Sequence, residues 1–555
     1  MSQRARFRGP LVGLHLAMLV CFELDPAWAA ETTGATEAVP TGANTQATNH
    51  LSPAEVGPLL DLFIKKGFVT QEEVNQVKAE AEAAQASQQP LSEKMLSKFK
   101  LSDSLGIKSV ELFGDVRLRY ESRTATDPEN GSIKLQRYRY SVRIGLRGEV
   151  FDDFYYGLRL ETSQNPRSSF VTFGSSPNSG PFNKNENGAA AIEVGQVYLG
   201  WKPEQWVDVT LGKMPNPLFT TTMVWSGSIN PEGAAERFKY TVGPADFFAT
   251  FGQFIYQEVN PQSSAPGYYP SGSDNGAISA YSPFLLAWQG GVNFHLTKNI
   301  SVKVAPTIYQ YTAFNNGQPP PDSGILYDPT IAYAYVGQGQ TIGVNGRTAA
   351  YNLGGPYGGF FANQSGINNL LVLEFPVELN VQLEKHSLRI FGDYAQNLDG
   401  VARANAAYDA AHSSYYSVSG PTQGTISQIP YPETGQTRAY QAGVAFGSKD
   451  CLGLVNGTVS ARHAWELRTY WQHIEQYALD PNLIDTDFFN GNENMEGIYV
   501  AAAYGLAANV VGAVRYGYAN RINDNLGTGG ASPDISQMNP VNSFSVFQVD
   551  LAIRF

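Results

Sequence analysis

The sequence predicts an all-β fold: a transmembrane, antiparallel, up-and-down β-barrel of about 16 strands, preceded by a short N-terminal helical segment. Three observations predict it. Runs of ten or more residues alternate strictly between an apolar and a charged face. Short links alternate with long ones between those runs. The chain stops on an aromatic residue at the end of a strict alternation.

The alternation is clearest from Arg137 to Val150. Tyr138, Tyr140, Val142, Ile144 and Leu146 fall on one side, and Arg137, Arg139, Ser141, Arg143 and Arg147 on the other. Successive side chains of a strand point to opposite faces, so one face is apolar and the other strongly cationic. The stretch 112–121 repeats the pattern, with Arg117 and Arg119 on the polar side. So does 371–383, with Glu374, Glu378, Asn380 and Gln382. A soluble sandwich would also alternate, with its apolar face inward. The links separate the two cases. Strands are expected at 110–122, 137–150, 154–164, 190–201, 206–213, 235–242, 246–257, 284–296, 300–313, 367–383, 387–397, 436–448, 460–475, 495–506, 509–520 and 544–555. Tight links follow the second, fourth, sixth, eighth, tenth and fourteenth, for example Gly243-Pro244 and Ala507-Ala508. The links between them are long and rich in Gly, Asn and Pro, the asymmetry of outer-membrane barrels. At the end, Phe547, Val549, Leu551, Ile553 and Phe555 alternate with Gln548, Asp550, Ala552 and Arg554. Such a strand is expected to be read by the barrel-assembly machinery through Phe555.

Composition agrees. The 555 residues include only 16% charged side chains, where about 25% is usual. Gly (55), Tyr (30) and Phe (30) are abundant, as turns and interfacial aromatics require. Mean hydropathy is −0.24, and beyond the N-terminus no apolar run of about 18 residues occurs, which excludes a helical membrane protein. The net charge of −12 argues against nucleic acid as a partner.

Residues 1–29 read as a secretory signal peptide. Arg4, Arg6 and Arg8 precede an apolar stretch from Leu11 to Phe22, and Ala27-Trp28-Ala29 supplies the small residues a peptidase needs. Cys21 would leave with it, so Cys451 remains alone and no intrachain disulfide is expected. Residues 30–50 are Ala/Thr/Gly-rich and aperiodic, a disordered linker. Residues 51–105 are expected to form a periplasmic helical segment. Capping boxes at Ser52-Pro53-Ala54-Glu55 and Thr70-Gln71-Glu72-Glu73 open two helices, the first ending at Gly67. The barrel then occupies 106–555.

If the apolar face meets lipid, the other face encloses water, because bare arginines in a dry interior are prohibitively costly. Arg117, Arg119, Arg137, Arg139, Arg143, Arg147 and Arg159 are then candidate pore-lining residues whose rows bias which ions pass. A blander alternative pairs them with acidic loops carrying Glu129 or Glu186, as struts.

The segment 197–235 holds the most specific run: Gly212-Lys-Met-Pro-Asn-Pro-Leu-Phe219, then Trp225, then Asn230-Pro-Glu-Gly233. It resembles the putative porin family of Gram-negative outer membranes, which shows Gly-Lys-Met-x-Asn-Pro-Phe, a Trp, and Asn-Pro-Glu-Gly. Leu218 is an insertion relative to that pattern. Ser226 and Ser228 replace the family's acidic residues after the Trp. Similarity extends through Lys66–Glu73, Phe391-Gly-Asp-Tyr394 with Asn397, and Tyr470–Tyr504. The resemblance implies a single-chain barrel of the porin type and supplies no substrate.

Pro215 and Pro217 stiffen the start of this link, so it can fold inward and narrow the barrel. Lys213, Asn216, Trp225, Glu232 and Arg237 are the constriction candidates, with Glu236 beside them. The Asp/Asn-rich stretch 480–496 has oxygen ligands of the kind calcium takes, but no calcium-loop spacing. No catalytic residues, metal site or cofactor are expected: no His pair, Cys cluster, nucleotide loop or Gly-x-Ser-x-Gly elbow occurs. The expected function is passive diffusion of small polar solutes and ions. A substrate-selective channel for carbohydrates or organic anions is the alternative, followed by a structural or adhesion barrel. Outer-membrane lipid and small polar solutes are the expected partners, with a homo-oligomer open.

Overall fold

The computed structural model describes residues 106–126, 131–151, 153–163, 168–174, 191–256, 284–312, 334–335, 362–363, 369–405, 432–457, 461–528 and 541–555. The signal peptide, the linker and the helical segment expected before residue 106 lie outside them.

Sixteen antiparallel staves form one closed barrel. They are β1 (Glu111–Thr126), β2 (Ser132–Val150), β3 (Phe154–Ser163), β4 (Ala191–Glu204), β5 (Val207–Lys213), β6 (Glu232–Val242), β7 (Ala245–Ile255) and β8 (Phe284–Thr297). Then come β9 (Ile300–Val304 with Thr307–Tyr311), β10 (Leu371–Glu374 with Val377–Gln382), β11 (His386–Asn397) and β12 (Arg438–Ser448). Last are β13 (Trp465–Ile474), β14 (Met495–Ala507), β15 (Val510–Arg521) and β16 (Ser543–Arg554). Each stave pairs with the next in sequence, and β16 pairs with β1 from Asp115↔Arg554 to Thr126↔Ser543. Among the described residues, closure leaves the sixteen staves without an unpaired edge, the condition for crossing a bilayer with strands.

All sixteen expected strands are present, with two differences. The β1–β2 hairpin is longer than read, reaching Thr126 and Ser132, because the alternation continues past Glu121 and cross-strand pairs such as Arg123↔Leu135 extend the ladder. β9 and β10 are each interrupted, at Pro306 and Pro376. Proline cannot donate to the ladder. Their carbonyls still accept from the neighbouring strands: Gly290 N donates to Pro306 O at 3.1 Å and Ala305 N to Pro376 O at 3.2 Å.

The apolar face looks outward. Leu118, Ile144, Leu211, Val500 and Leu551 are exposed, while Asp115, Arg119, Glu374, Gln472 and Asp550 are buried. Leaving a Leu or Phe side chain in water rather than burying it forgoes about 1.5–3 kcal/mol, so this surface is one that lipid covers. Aromatics ring it at both ends. Trp201, Trp206 and Tyr240 stand near the short turns, and Tyr138, Tyr394, Trp471 and Tyr518 near the long links. On β14 and β15 many inward residues are small, among them Gly497, Ala501, Ala503, Ala513 and Gly517, which leaves room inside for chain from the links.

Candidate functional site

The inward arginines of β1–β3 are held by carboxylates. Arg117 Nη2 lies 2.8 Å from Asp115, which Arg143 also contacts. Arg119 reaches Asp550 at 2.8 Å and Asp487 at 2.9 Å. Arg137 Nη2 meets Glu121 at 2.5 Å, Arg147 Nε meets Glu111 at 2.8 Å, and Arg159 Nη2 meets Glu161 at 3.0 Å. Arg139 Nη2 donates to Phe170 O at 3.0 Å, and its guanidinium lies over the Phe170 ring. Removing such a charge from water is costly unless it is paired, so the seven sequence candidates stay inward only because partners are there. Those partners come from the strands, from the β13–β14 link and, for Arg139, from Phe170 in the β3–β4 link. Glu129 and Glu186 lie outside the described residues. Arg123, absent from the candidates, is 1% exposed and pairs with Glu121 at 3.0 Å.

The link between β5 and β6 folds inward. It leaves the wall at the paired glycines Gly212 (φ +116°) and Gly233 (φ +147°). A Cβ on either would stand 2.3 Å or less from a neighbouring backbone carbonyl. Met214 N donates to Pro231 O at 2.9 Å and closes the neck. The chain then crosses to β8–β11. Gln289 clamps Phe219 in both directions, accepting from its N at 2.9 Å and donating to its O at 2.8 Å. Thr220 Oγ1 donates to Glu374 at 2.6 Å and Thr221 Oγ1 to Asp393 at 2.5 Å. Trp225 is 3% exposed, between Phe254 and Tyr309, and its Nε1 donates to Ile229 O at 3.1 Å.

Of the five constriction candidates, Asn216 and Trp225 lie in this inward link. Asn216 Oδ1 accepts from Leu218 N at 3.0 Å. Lys213 and Glu232 pair at 3.0 Å across the neck. Arg237 is on the wall, Nη2 2.5 Å from Asp208 and 3.3 Å from the Tyr155 hydroxyl. Glu236 turns outward instead, in register with Val209 and the exposed Phe251, and accepts from Gln253 at 2.8 Å. Strand phase explains it: the neighbouring Ala235 and Arg237 face inward, so Glu236 cannot.

A second link, β13–β14, folds inward to meet the first. Ser226 N donates to Leu483 O at 2.6 Å and Asp485 N to Thr222 O at 3.2 Å. On its far side Thr486 O accepts from Arg123 at 2.9 Å, and Phe488 packs on Tyr470, Tyr499 and its neighbour Phe489. Phe488 lies where Gly517 lacks a side chain: a Cβ there would be 2.5 Å from its ring. Burial and then the neighbouring Asp487 push the Asp485 carboxyl up to about 7. Burial would raise Asp487 too, but Arg119 and Arg123 reverse this and hold it below its usual value. The acids of 480–496 are therefore engaged: Asp480 accepts from Tyr256 and Asn482, Asp487 from Arg119. No group of three or more His, Cys, Asp or Glu among the described residues is arranged to hold a metal.

From the opposite end, the β12–β13 link enters as well. Glu466 accepts from Gly453 N at 2.8 Å and Val455 N at 2.9 Å, and Arg515 Nη2 donates to Val455 O at 2.6 Å. Leu454 and Val455 are buried. The β13–β16 side of the interior is thus filled by two links. Inward polar side chains that keep exposure lie on β2–β11, among them Arg147, Lys202, Arg237 and Arg389.

A family model described as Putative porin matches residues 128–555. No curated protein matches the sequence. Among solved structures, the chain is similar to OmpT of Vibrio cholerae at 10% identity and TM-score 0.36, over 80% of this chain and 97% of that one. It is similar to an anion-selective porin from Comamonas acidovorans at 10% identity and TM-score 0.38, over 80% and 99%. It is similar to OprB of Pseudomonas putida at 11% identity and TM-score 0.39, over 83% and 96%.

Proposed function

The chain belongs to the Putative porin family, non-enzymatic β-barrel channels of the outer membrane, and on that premise we propose passive diffusion of small polar solutes and ions through a water-filled lumen with an arginine-rich wall. One observation carries the proposal. Charged side chains turn inward on β1–β11 and keep partial exposure there, while the outward face is apolar. Charges in a dry interior would be unaffordable, so the enclosed space holds water. Arg117, Arg143 and Arg147 present donors toward that space from one wall, and such rows bias passage toward anions. The β5–β6 link, held by Gln289, Glu374 and Asp393 and joined to the β13–β14 link, narrows the path. The remaining lumen is off-centre, beside β2–β11.

In this reading the segment before the barrel is periplasmic. The last strand, ending at Phe555, is the signal for the assembly machinery. Outer-membrane lipid covers the apolar face. Conductance of the purified, refolded chain in planar bilayers tests the proposal, with reversal potentials in a salt gradient. Stable open channels that favour anions are expected. A folded barrel that passes no current would remove the pore, and a reversal potential favouring cations would remove the role given to the arginine wall.

A further inference from the structure

Beneath the inward β5–β6 link, the turn-side wall carries a group of cations arranged differently from the arginine rows. Phe248 on β7 lies across Gly291 on β8, where a Cβ would stand 2.2 Å from its ring. The bare glycine lets the ring lie flat toward β9. Lys303 of β9 sits above it, Nζ 5.1 Å from the Phe248 centroid and 4.0 Å from that of Phe219 on the link. Phe219 is fixed in place by the Gln289 clamp. Next to Phe248 in register is Lys239 of β6. Its side chain is exposed, and among the described residues Asp246 and Asp208 act on its ammonium only from beyond ion-pair distance. Glu378 of β10 stands opposite Lys303 in register and acts on it, while also holding Arg389 of β11 at 3.3 Å; Lys239 and Arg389 act on Lys303 as further cations.

We infer that Lys239, Lys303, Phe248 and Phe219 form a niche at the narrow point for an organic anion with a flat apolar body, such as an aromatic carboxylate. The chemistry follows from the parts. The Lys239 ammonium offers donors to a carboxylate, and a second cation stands across the Phe248 ring. Two fixed aromatic rings offer surface that a sugar hydroxyl or a chloride ion does not need but a planar hydrocarbon does. The site is open on the lumen side, so binding is weak and transient, as conduction through a site requires. The inference rests on the pore reading and gives it a preferred solute class.

Benzoate is the probe, added to wild-type channels carrying chloride current. Benzoate is expected to interrupt the current in a concentration-dependent way, whereas acetate and benzyl alcohol at equal concentration do not. Lys239→Gln and Phe248→Ala, each checked for folding by heat-modifiable mobility, should each raise the half-blocking concentration roughly tenfold. Acetate blocking as well as benzoate, or either variant blocking at the wild-type concentration, overturns the niche. Calorimetric titration of benzoate into the detergent-folded barrel separates the two claims. Binding without conduction keeps the niche and removes the pore. Conduction without binding removes the niche alone.

Discussion

The amide of Ser226 donates to the carbonyl of Leu483 at 2.6 Å, joining two links that enter the barrel from opposite walls. One is anchored on β8–β11 through Gln289, Glu374 and Asp393. The other is anchored on β1 through Arg119 and Arg123. Neither anchor is covalent, so the position of the two links depends on side chains that mutation can remove.

Trp225 is the largest of these. It is 3% exposed between Phe254 and Tyr309. Replacing a buried Trp by Ala costs about 3–5 kcal/mol, enough to release a link from its dock while the strand ladder persists. Trp225→Ala should fold, conduct more per channel and open and close more often. Single-channel recording checks this, and unchanged conductance with unchanged noise would show that the link does not set the width.

The arginine wall predicts ion preference. Arg143 shares Asp115 with Arg117, and Arg147 holds Glu111 at 2.8 Å. Arg143→Glu with Arg147→Glu replaces two cations by anions beside carboxylates already there. The anion-to-cation permeability ratio should fall several-fold, read from reversal potentials in a salt gradient. A ratio equal to wild type would place both residues away from the path.

The sixteen staves were legible because each crossing writes its own period-2 pattern, and because closing turns such as Gly243-Pro244 are short. What filled the barrel was not. The stretch 480–496 reads as a solvated acidic loop, yet its Leu483, Ile484, Phe488 and Phe489 are buried. The signal lay elsewhere: Gly497, Ala501, Ala503, Ala513 and Gly517 make much of the inward faces of β14 and β15 small and apolar, around Tyr499 and Arg515. A water-facing wall has no reason for that, but a wall packed against chain does. The ion pairs were hidden for another reason. Arg119 and Asp550 are 431 positions apart and meet only when the last strand closes on the first.

Acidity should tune the joined links. Asp485 binds its proton more tightly in the folded barrel than at its ordinary value of 3.8, since burial and Asp487 push it up to about 7. Its contribution to docking is therefore full below 3.8 and is lost as pH rises through about 7. Asp487 runs the other way: Arg119 and Arg123 hold it low, so its contribution is present above 3.8 and lost on acidification. Between the two, at about pH 5, the link should dock most firmly. Gating events should become more frequent as pH is raised to about 8, and Asp485→Asn should make that rise disappear. A wild-type channel whose gating is flat across this range would exclude Asp485 as the titrating group.

The last prediction concerns closure. Phe555 exchanges both backbone hydrogen bonds with Gly114, at 2.9 and 3.1 Å, and its ring lies over the space a side chain would fill. A Cβ on Gly114 would stand 2.8 Å from that ring and 2.3 Å from the carbonyl of Arg143. A ring can swing away, but the ladder carbonyl cannot without opening the β1–β2 register. Gly114→Val should therefore impair refolding in detergent as well as assembly in cells. Phe555→Ala leaves the ladder intact and removes only the exposed aromatic. If that aromatic is what the assembly machinery reads, the variant should refold in detergent like wild type while its folded fraction in the outer membrane falls several-fold. Heat-modifiable mobility measures both fractions. Equal loss in detergent and in cells would instead make Phe555 a packing residue of the barrel seam.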